Sequence, residues 1–500
     1  MVRILGTILK AYNCVKLYSI AIKMQLKRVF AILYINSWGE KMSIESLKLK
    51  FNQLTLESED HWDYRGNSKS ERDYVHGFCT YPAMMVPKMQ REILDVCLLN
   101  LGNPKPCLLD PFAGSGTILV EGMLRGLDII GVDVNPLAIL LCKVKTTIVD
   151  IKDLQRKADD LKNSIASRKN NTPKHQFNGI DKWFTEKAIT DLSIIRSNIL
   201  KEKDIVFRRF FWATFCEVVR VVSNSRDCTY KLHIKEEKDI ENYDKDAIEI
   251  FNSTLDFNVK KYISFYNTLN ELGYITKEGD KYKGNVQIVL GDSIQYLNKT
   301  RRKFDLVLTS PPYGDNHTTV SYGQYSVMPL RWINCSDIDD NFDDTVLATL
   351  YGIDNVSLGG KSTKSSMTKE RERVILRSAT LKQQRDYIRE HAEKQVNKMV
   401  AFYSDYDNFL AAISKRMKPG AVSVWTLGNR KIAKQEIYMN NIMVELATHY
   451  HMALVTSFSR KILNKRMPEI SAYTGDEQTS QTTMTREHIL VFSKEEITNE

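Results

Sequence analysis

No two cysteines of this 500-residue chain form a C-x-x-C pair, and none clusters with histidine at the spacing of a zinc site. The eight, Cys14, Cys79, Cys97, Cys107, Cys142, Cys216, Cys228 and Cys335, are scattered and lie mostly in apolar surroundings. That pattern argues against a disulfide scaffold and for reduced, buried thiols in a cytoplasmic protein. No apolar run is long and uncharged enough to span a bilayer, so no membrane partner is expected. No internal repeat is visible. The G-x-G-x-x-G dinucleotide pattern is missing, and so is the lysine of a phosphate-gripping P-loop, which leaves no pyrophosphate signature. Charge of one sign is scarcer than the net +10 suggests. Residues 1–41 hold seven Lys or Arg against one acid, a balance of +6, which leaves only +4 for the remainder. The body of the chain is mildly basic, and any case for nucleic acid must rest on local patches.

Segment 1–41 is basic and apolar, but Lys16, Lys23 and Lys27 interrupt its apolar runs, so a signal peptide or span fits it poorly. It reads as an unassigned extension, either a basic amphipathic arm or sequence upstream of a start at Met42. No function is based on it.

What is present is a strand–helix alternation. Residues 84–101 have apolar residues at helical spacing. "CLLD" then reads as a short buried strand ending in Asp110. "TILVEGMLRG" reads as a helix stopped at Gly126, and "DIIGVDVN" as the next strand. The rhythm breaks over 150–285, where helices are expected at 151–166, at 185–200 and along "FRRFFWATFCEVVRVVS", whose aromatics have the spacing of a core helix. Strands resume at "VQIVL" and "KFDLVL". The polar stretch 335–370 reads in part as a mobile loop, and a helical region follows to about 417. Further strands are expected in "KPGAVSVWTLGN", "HMALVTSFSR" and "REHILVFSK". Alternating strands and helices imply an α/β, doubly wound, Rossmann-like sheet with a large helical insertion. The expected layout is 42–149, first half of the sheet domain; 150–285, the insertion; 286–334, second half; 335–417, a basic insertion; and 418–500, the closing strands.

"DPFAGSGT" follows a strand and opens a helix, the context of a cofactor loop. Gly114 and Gly116 allow a tight turn and a close approach by a ligand. Asp110 precedes the loop, Asp133 ends the next strand, and Asp292 in "LGDS" follows a later one. A carboxylate at the Asp133 position can accept from both hydroxyls of a ribose, and Asp292 can accept from an adenine amine. Any one of these acids, taken alone, also reads as a helix cap. Together, three acids at strand ends suit a neutral adenosine better than a phosphate.

"TSPPYGDN" (309–316) stops the strand "FDLVL", because two prolines supply no N–H to a sheet ladder. Ser310 and Tyr313 are left at a strand's carboxyl end, where open α/β sheets bind ligands. The bland alternative is a proline turn.

"DPFAGSGT" together with "TSPPY" resembles the amino-methylating DNA methyltransferases, which use S-adenosylmethionine. Ser-Pro-Pro-Tyr is most similar to those acting on N4 of cytosine. "CTYPAMMVPKM" (79–89) resembles the family segment at the methionine end of the cofactor, and "HTTVSYGQYS" (317–326) and "NKRMP" (464–468) look like pieces of a bacterial modification-methylase subgroup. The resemblance covers 76–147 and 286–333 well and 418–494 moderately.

It implies a class I methyltransferase fold. It implies cofactor binding by Thr80, Tyr81, Asp110, Phe112, Gly114, Ser115, Gly116, Thr117, Asp133 and Asp292, and catalysis by Ser310, Pro311, Pro312 and Tyr313. The Ser310 hydroxyl and the Pro311 carbonyl would hold the amine protons, and Tyr313 would stack on a flipped-out base. The implied role is host-DNA protection in a restriction–modification system, acting on double-stranded DNA beside a separately encoded endonuclease, with no metal. N6-adenine DNA methylation, or methylation of a guanine amine in RNA, are the alternatives.

Two basic runs are candidate phosphate contacts: Lys361, Lys364, Lys369, Arg371, Arg373, Arg377, Lys382 and Arg385, and then "RKILNKR" at 460–466. Either can equally be a solvated helix face. Target recognition is expected in 150–285 or 317–417.

Overall fold

Leu108 and Leu109 are both fully buried, yet they belong to cores on opposite sides of one sheet. The pleat explains this, because successive side chains of a strand point to opposite faces. An apolar run with no polar alternation is therefore a strand covered on both sides. In the computed structural model the described residues are 44–496, apart from 59, 65–71, 168–171, 227–229, 242–244, 315–319, 341, 361–367, 464–469, 473–479 and 483. The N-terminal extension, the start of "HTTVSYGQYS", the "NKRMP" segment, and Lys361 and Lys364 lie outside them.

Seven strands form the sheet: β1 (Cys107–Asp110), β2 (Asp128–Asp133), β3 (Val286–Leu290), β4 (Phe304–Thr309), β5 (Met417–Gly428), β6 (Met452–Lys461) and β7 (Arg486–Lys494). Their spatial order is β3-β2-β1-β4-β5-β7-β6. β7 runs antiparallel to both neighbours, and the other pairs are parallel. The chain steps outward from β1 to β3, then returns to the far side of β1 with β4. That reversal opens a crevice at the carboxyl ends of β1 and β4, the usual ligand position of such sheets. Helices cover both faces, so the molecule is an α/β, Rossmann-like, doubly wound fold.

One face packs under helices Pro87–Leu98, Thr117–Met123 and Pro136–Thr146. The helices between residues 150 and 285 extend the same core: Ala158, Ile195, Trp212 and Phe251 join Leu119, Ile139 and Leu306 in one continuous cluster. The helix Ile205–Val221 buries Phe207, Phe210, Phe211, Trp212 and Phe215, the packing role its spacing suggested. The other face is covered by Met439–Thr448 and by Ala379–Ser414, a pair of helices joined across a kink at Ala392.

The stretch 335–370, read in part as a mobile loop, has defined structure over much of its described length. Residues 344–347 and 352–355 form helical turns. Ile353 and Asp354 are buried, and the Asp354 carboxylate accepts from the Gly323 N–H at 2.9 Å. The Ser and Thr content suggested exposure, but a few apolar side chains pin this segment against the body.

Candidate functional site

The glycine loop is built from both ends. Gly114 and Gly116 have φ of +49° and +78°, in the left-handed region where a Cβ is unfavourable. The Ala113 N–H donates to Val132 O at 3.0 Å and the Gly114 N–H to Asp133 Oδ2 at 2.8 Å, which ties the loop to the end of β2. From below, the helix Pro136–Thr146 engages two successive loop carbonyls. Cys142 Sγ donates to Gly114 O at 3.4 Å, and the buried Lys145 Nζ donates to Ser115 O at 2.7 Å. Behind the loop, Glu121 of the helix Thr117–Met123 is fully buried among His76, Arg91 and Arg125.

Above the loop lies a cleft of about 910 Å³, part of it open to solvent. The expected site residues Tyr81, Phe112, Gly114, Ser115, Thr117, Asp133, Asp292, Ser310 and Pro312 are on its wall. Asp133 takes the Asn135 N–H on Oδ1 at 2.8 Å and Gly114 on Oδ2. Burial outweighs these bonds and pushes its carboxyl up to about 6. Asp292 caps the helix Ser293–Lys299 through the Gln295 N–H at 2.8 Å, so the cap and the wall position coexist in one residue. Ser293 Oγ donates to Pro111 O and joins this cap to the loop.

Other expected residues stand behind the wall. Asp110 is fully buried and accepts from Thr309 Oγ1 at 2.7 Å and from the Phe112 N–H at 3.2 Å. Its Oδ2 has no partner among the described residues, and burial raises the carboxyl to about 7. Gly116 is the left-handed N-cap of its helix. Thr80 turns away from the cleft: its N–H and Oγ1 donate to Glu217 at 2.8 and 3.1 Å, and its carbonyl accepts from Tyr325. Pro311 and Tyr313 also lie outside the wall. The Tyr313 hydroxyl is turned inward, 3.2 Å from both Ser310 Oγ and Glu487 Oε1. Burial, with Glu487 nearby, holds its phenol well above the usual range.

The wall also holds residues that motif reading missed. Asn135 donates to the Tyr81 hydroxyl at 3.0 Å and to Ser326 Oγ at 2.8 Å. Its Asn-Pro pair marks a helix start, which the sequence shows, but not a wall position. Tyr322 lies 5.8 Å from Tyr81, ring to ring. Ile353, Val356 and Leu358 supply an apolar side, and Phe409 comes from the helix across the sheet.

The two basic runs are largely taken up by contacts inside the protein. Arg373 and Arg377 converge on the fully buried Asp407 at 3.0 and 3.2 Å. Arg385 pairs with Asp386 at 2.6 Å. Arg460 is buried against Glu487, and Lys461 faces Asp60 at 3.3 Å. Arg373, Arg377, Arg385, Arg460 and Lys461 thus have carboxylate partners inside the protein, while Lys369 and Lys382 are exposed. Among the described residues no group of His, Cys, Asp or Glu is placed to hold a metal ion, and no helix is long and apolar enough to cross a membrane.

The UPF0020 family, described as an RMKL-like methyltransferase domain, matches residues 79–196. The type II methyltransferase M.MvaI of Kocuria varians is 32% identical over 471 residues, covering 92% of this chain and 98% of that protein. A match of that extent necessarily takes in part of the helical region as well as the sheet. M.MjaII of Methanocaldococcus jannaschii, also a type II methyltransferase, is 30% identical over 119 residues, 23% of this chain and 22% of its own. The rRNA methyltransferase aviRa from Streptomyces viridochromogenes aligns over 85% of this chain and 91% of its own, with 12% identity and a TM-score of 0.28.

Proposed function

The chain belongs to the type II methyltransferases, and from that premise we propose that it methylates the exocyclic N4 amine of a flipped-out cytosine within a specific double-stranded DNA sequence. Its product would protect DNA in a restriction–modification system, beside a separately encoded endonuclease. The observation that carries the reading is the placement of Ser310 on the same cleft wall as Asp133 and the glycine loop.

The wall suits S-adenosylmethionine. Each Asp133 oxygen spends one lone pair on a backbone N–H and has another for a ribose hydroxyl. Asp292 is assigned to the adenine amine and Tyr81 to the methionine end. Gly114 itself presents no Cβ to the cleft; one placed there would lie 3.6 Å from the Tyr81 ring. Bound there, S-adenosylmethionine supplies a methyl carbon activated by its sulfonium.

The protein's task is then alignment. The lone pair of an aromatic amine is delocalised into its ring, so it must be aimed in line at the methyl carbon. Ser310 Oγ and the Pro311 carbonyl are assigned to the two amine protons, which favours the tetrahedral nitrogen. Pro311 has no N–H to compete and Pro312 stiffens the corner. The Tyr313 ring is assigned to stack on the extruded base.

The test is transfer from labelled S-adenosylmethionine to unmethylated bacterial DNA, with the nucleosides identified by mass. N4-methylcytosine, lost in Ser310→Ala, is the expected result. N6-methyladenine would keep the chemistry and change the base. Label in RNA alone would overturn the reading.

A further inference from the structure

Tyr313 has one hydroxyl hydrogen and two polar neighbours, Ser310 Oγ and Glu487 Oε1, each at 3.2 Å. Glu487 is held in turn. Its Oε2 accepts from Arg460 Nε at 2.7 Å, and Arg460 Nη1 donates to Tyr64 O at 3.0 Å. A carboxylate paired with a guanidinium only accepts. The Tyr313 O–H must therefore donate to Glu487, and the Tyr313 oxygen can take part in the second contact only as an acceptor. That contact then uses the single hydrogen of Ser310. With that hydrogen spent, Ser310 Oγ turns only lone pairs toward the cleft.

We propose that Glu487, acting through Tyr313, fixes Ser310 as a hydrogen-bond acceptor, so that the cleft takes a target that donates, an exocyclic amine, and rejects a keto oxygen in the same place. Arg460 and Glu487 are positioning residues, and the inference rests on the amino-methylation reading above. On the exposed edges of the bases, cytosine N4 and adenine N6 donate, whereas thymine O4 and guanine O6 accept. A free serine rotor would serve either class, because a hydroxyl both donates and accepts. The chain from Arg460 to Ser310 removes that ambiguity before the base arrives, as preorganised catalytic dipoles do.

The test compares wild type, Tyr313→Phe, Glu487→Gln and the double variant in single-turnover methyl transfer to DNA, with S-adenosylmethionine affinity and thermal unfolding measured on each. Tyr313→Phe keeps the stacking ring and removes only the hydroxyl. Its transfer rate is expected to fall about 10- to 100-fold, the range for hydrogen bonds that involve a charged partner, with cofactor affinity unchanged. In Glu487→Gln, Arg460 retains the amide oxygen, so the amide N–H faces Tyr313 and reverses the direction of donation along the chain. Transfer is expected to fall at least as far. In the Tyr313→Phe background the same change should add nothing. Full transfer by Tyr313→Phe, which is expected to fold normally, overturns the proposal, and so do losses that multiply in the double variant. Wild-type protein that methylates no amine sinks the underlying reading and the proposal with it, whereas an active wild type with an equally active Tyr313→Phe overturns the proposal alone.

Discussion

Lys145 Nζ, buried beneath the glycine loop, lies 2.7 Å from the carbonyl oxygen of Ser115 within it. Burying an ammonium is costly, and here burial lowers its pKa to about 8. What the position gains is a charged donor on a loop carbonyl, next to the Cys142 thiol on the preceding one. With its carbonyls engaged from below, the loop is held in one conformation at the floor of the cleft.

Lys145→Met should therefore weaken S-adenosylmethionine binding about tenfold, roughly 1.4 kcal/mol, and leave the methyl-transfer rate at saturating cofactor nearly unchanged. The variant should also differ in its pH response. Between about 8 and the ordinary 10.5 the unfolded lysine carries a proton that the folded one does not. Wild-type stability should rise with pH across that window, and Lys145→Met should lack the rise. Unfolding at pH 8 and pH 10 checks the sign, and titration calorimetry checks the affinity.

Asp133 gives a second pH dependence, in the opposite direction. Its carboxyl is raised from 3.8 to about 6, so the folded protein holds a proton there that the unfolded chain has released. This group's contribution to stability falls as pH rises from about 4 to 6. Cofactor binding should run the other way, because ribose hydroxyls need an acceptor, and affinity should weaken as pH drops below 6. Asp133→Asn has one acceptor oxygen for two backbone N–H groups, leaving one unpaired at a cost of about 1–3 kcal/mol. Its affinity should be at least tenfold weaker at pH 7.5 and should lose the step near pH 6.

Much of the site was legible because strand ends and turn residues carry local signals. Asp110, Asp133 and Asp292 could be placed at strand ends from the apolar runs before them, and the glycine spacing located the loop. Asn135, read as the end of the strand "DIIGVDVN", instead caps the helix Pro136–Thr146, and its wall position was hidden because its contacts with Tyr81 and Ser326 span 54 and 191 residues. The bonds of Thr80 were hidden for the same reason: its partner Glu217 lies 137 residues away in the helical region. The apolar wall from Ile353 to Leu358 was hidden in a polar stretch, because a few buried side chains suffice to anchor it. Composition averages such anchors away.

Gly428, at the end of β5, packs against the Ser310–Tyr313 corner. A Cβ there would lie 2.6 Å from Tyr313 Cδ2 and 2.1 Å from Met484 Sδ. The flexible Met484 thioether can move aside, but the Tyr313 ring is held by its hydroxyl bonds. Gly428→Ala should displace the ring and cut methyl transfer by an order of magnitude or more, with stability reduced by about 1–3 kcal/mol as for other overpacked sites. Cofactor affinity should be unchanged, because Gly428 is not on the cleft wall. Equal losses in binding and transfer would mean that the strain spreads into the glycine loop.

The basic run around residue 373 separates a structural charge from a DNA contact. Arg373 Nε and Arg377 Nη1 both reach Asp407, whose side chain is fully buried, and Arg377 also donates to the Tyr450 hydroxyl. Removing one guanidinium leaves the other on Asp407, whereas removing both leaves a buried carboxylate with, among the described residues, the Tyr450 hydroxyl as its remaining partner. Breaking a buried pair in this way costs about 3–5 kcal/mol. Arg373→Ala should therefore be mild, and the double alanine variant should be destabilised by more than twice as much. If these side chains instead neutralised phosphates, each removal would reduce the slope of log affinity against log salt by about 0.9. The expected result is an unchanged slope in Arg373→Ala, measured between 50 and 200 mM salt as in such titrations generally, together with a lowered unfolding midpoint in the double variant. A slope reduced by nearly one unit, with normal stability, would move Arg373 from the core of the fold to the DNA surface.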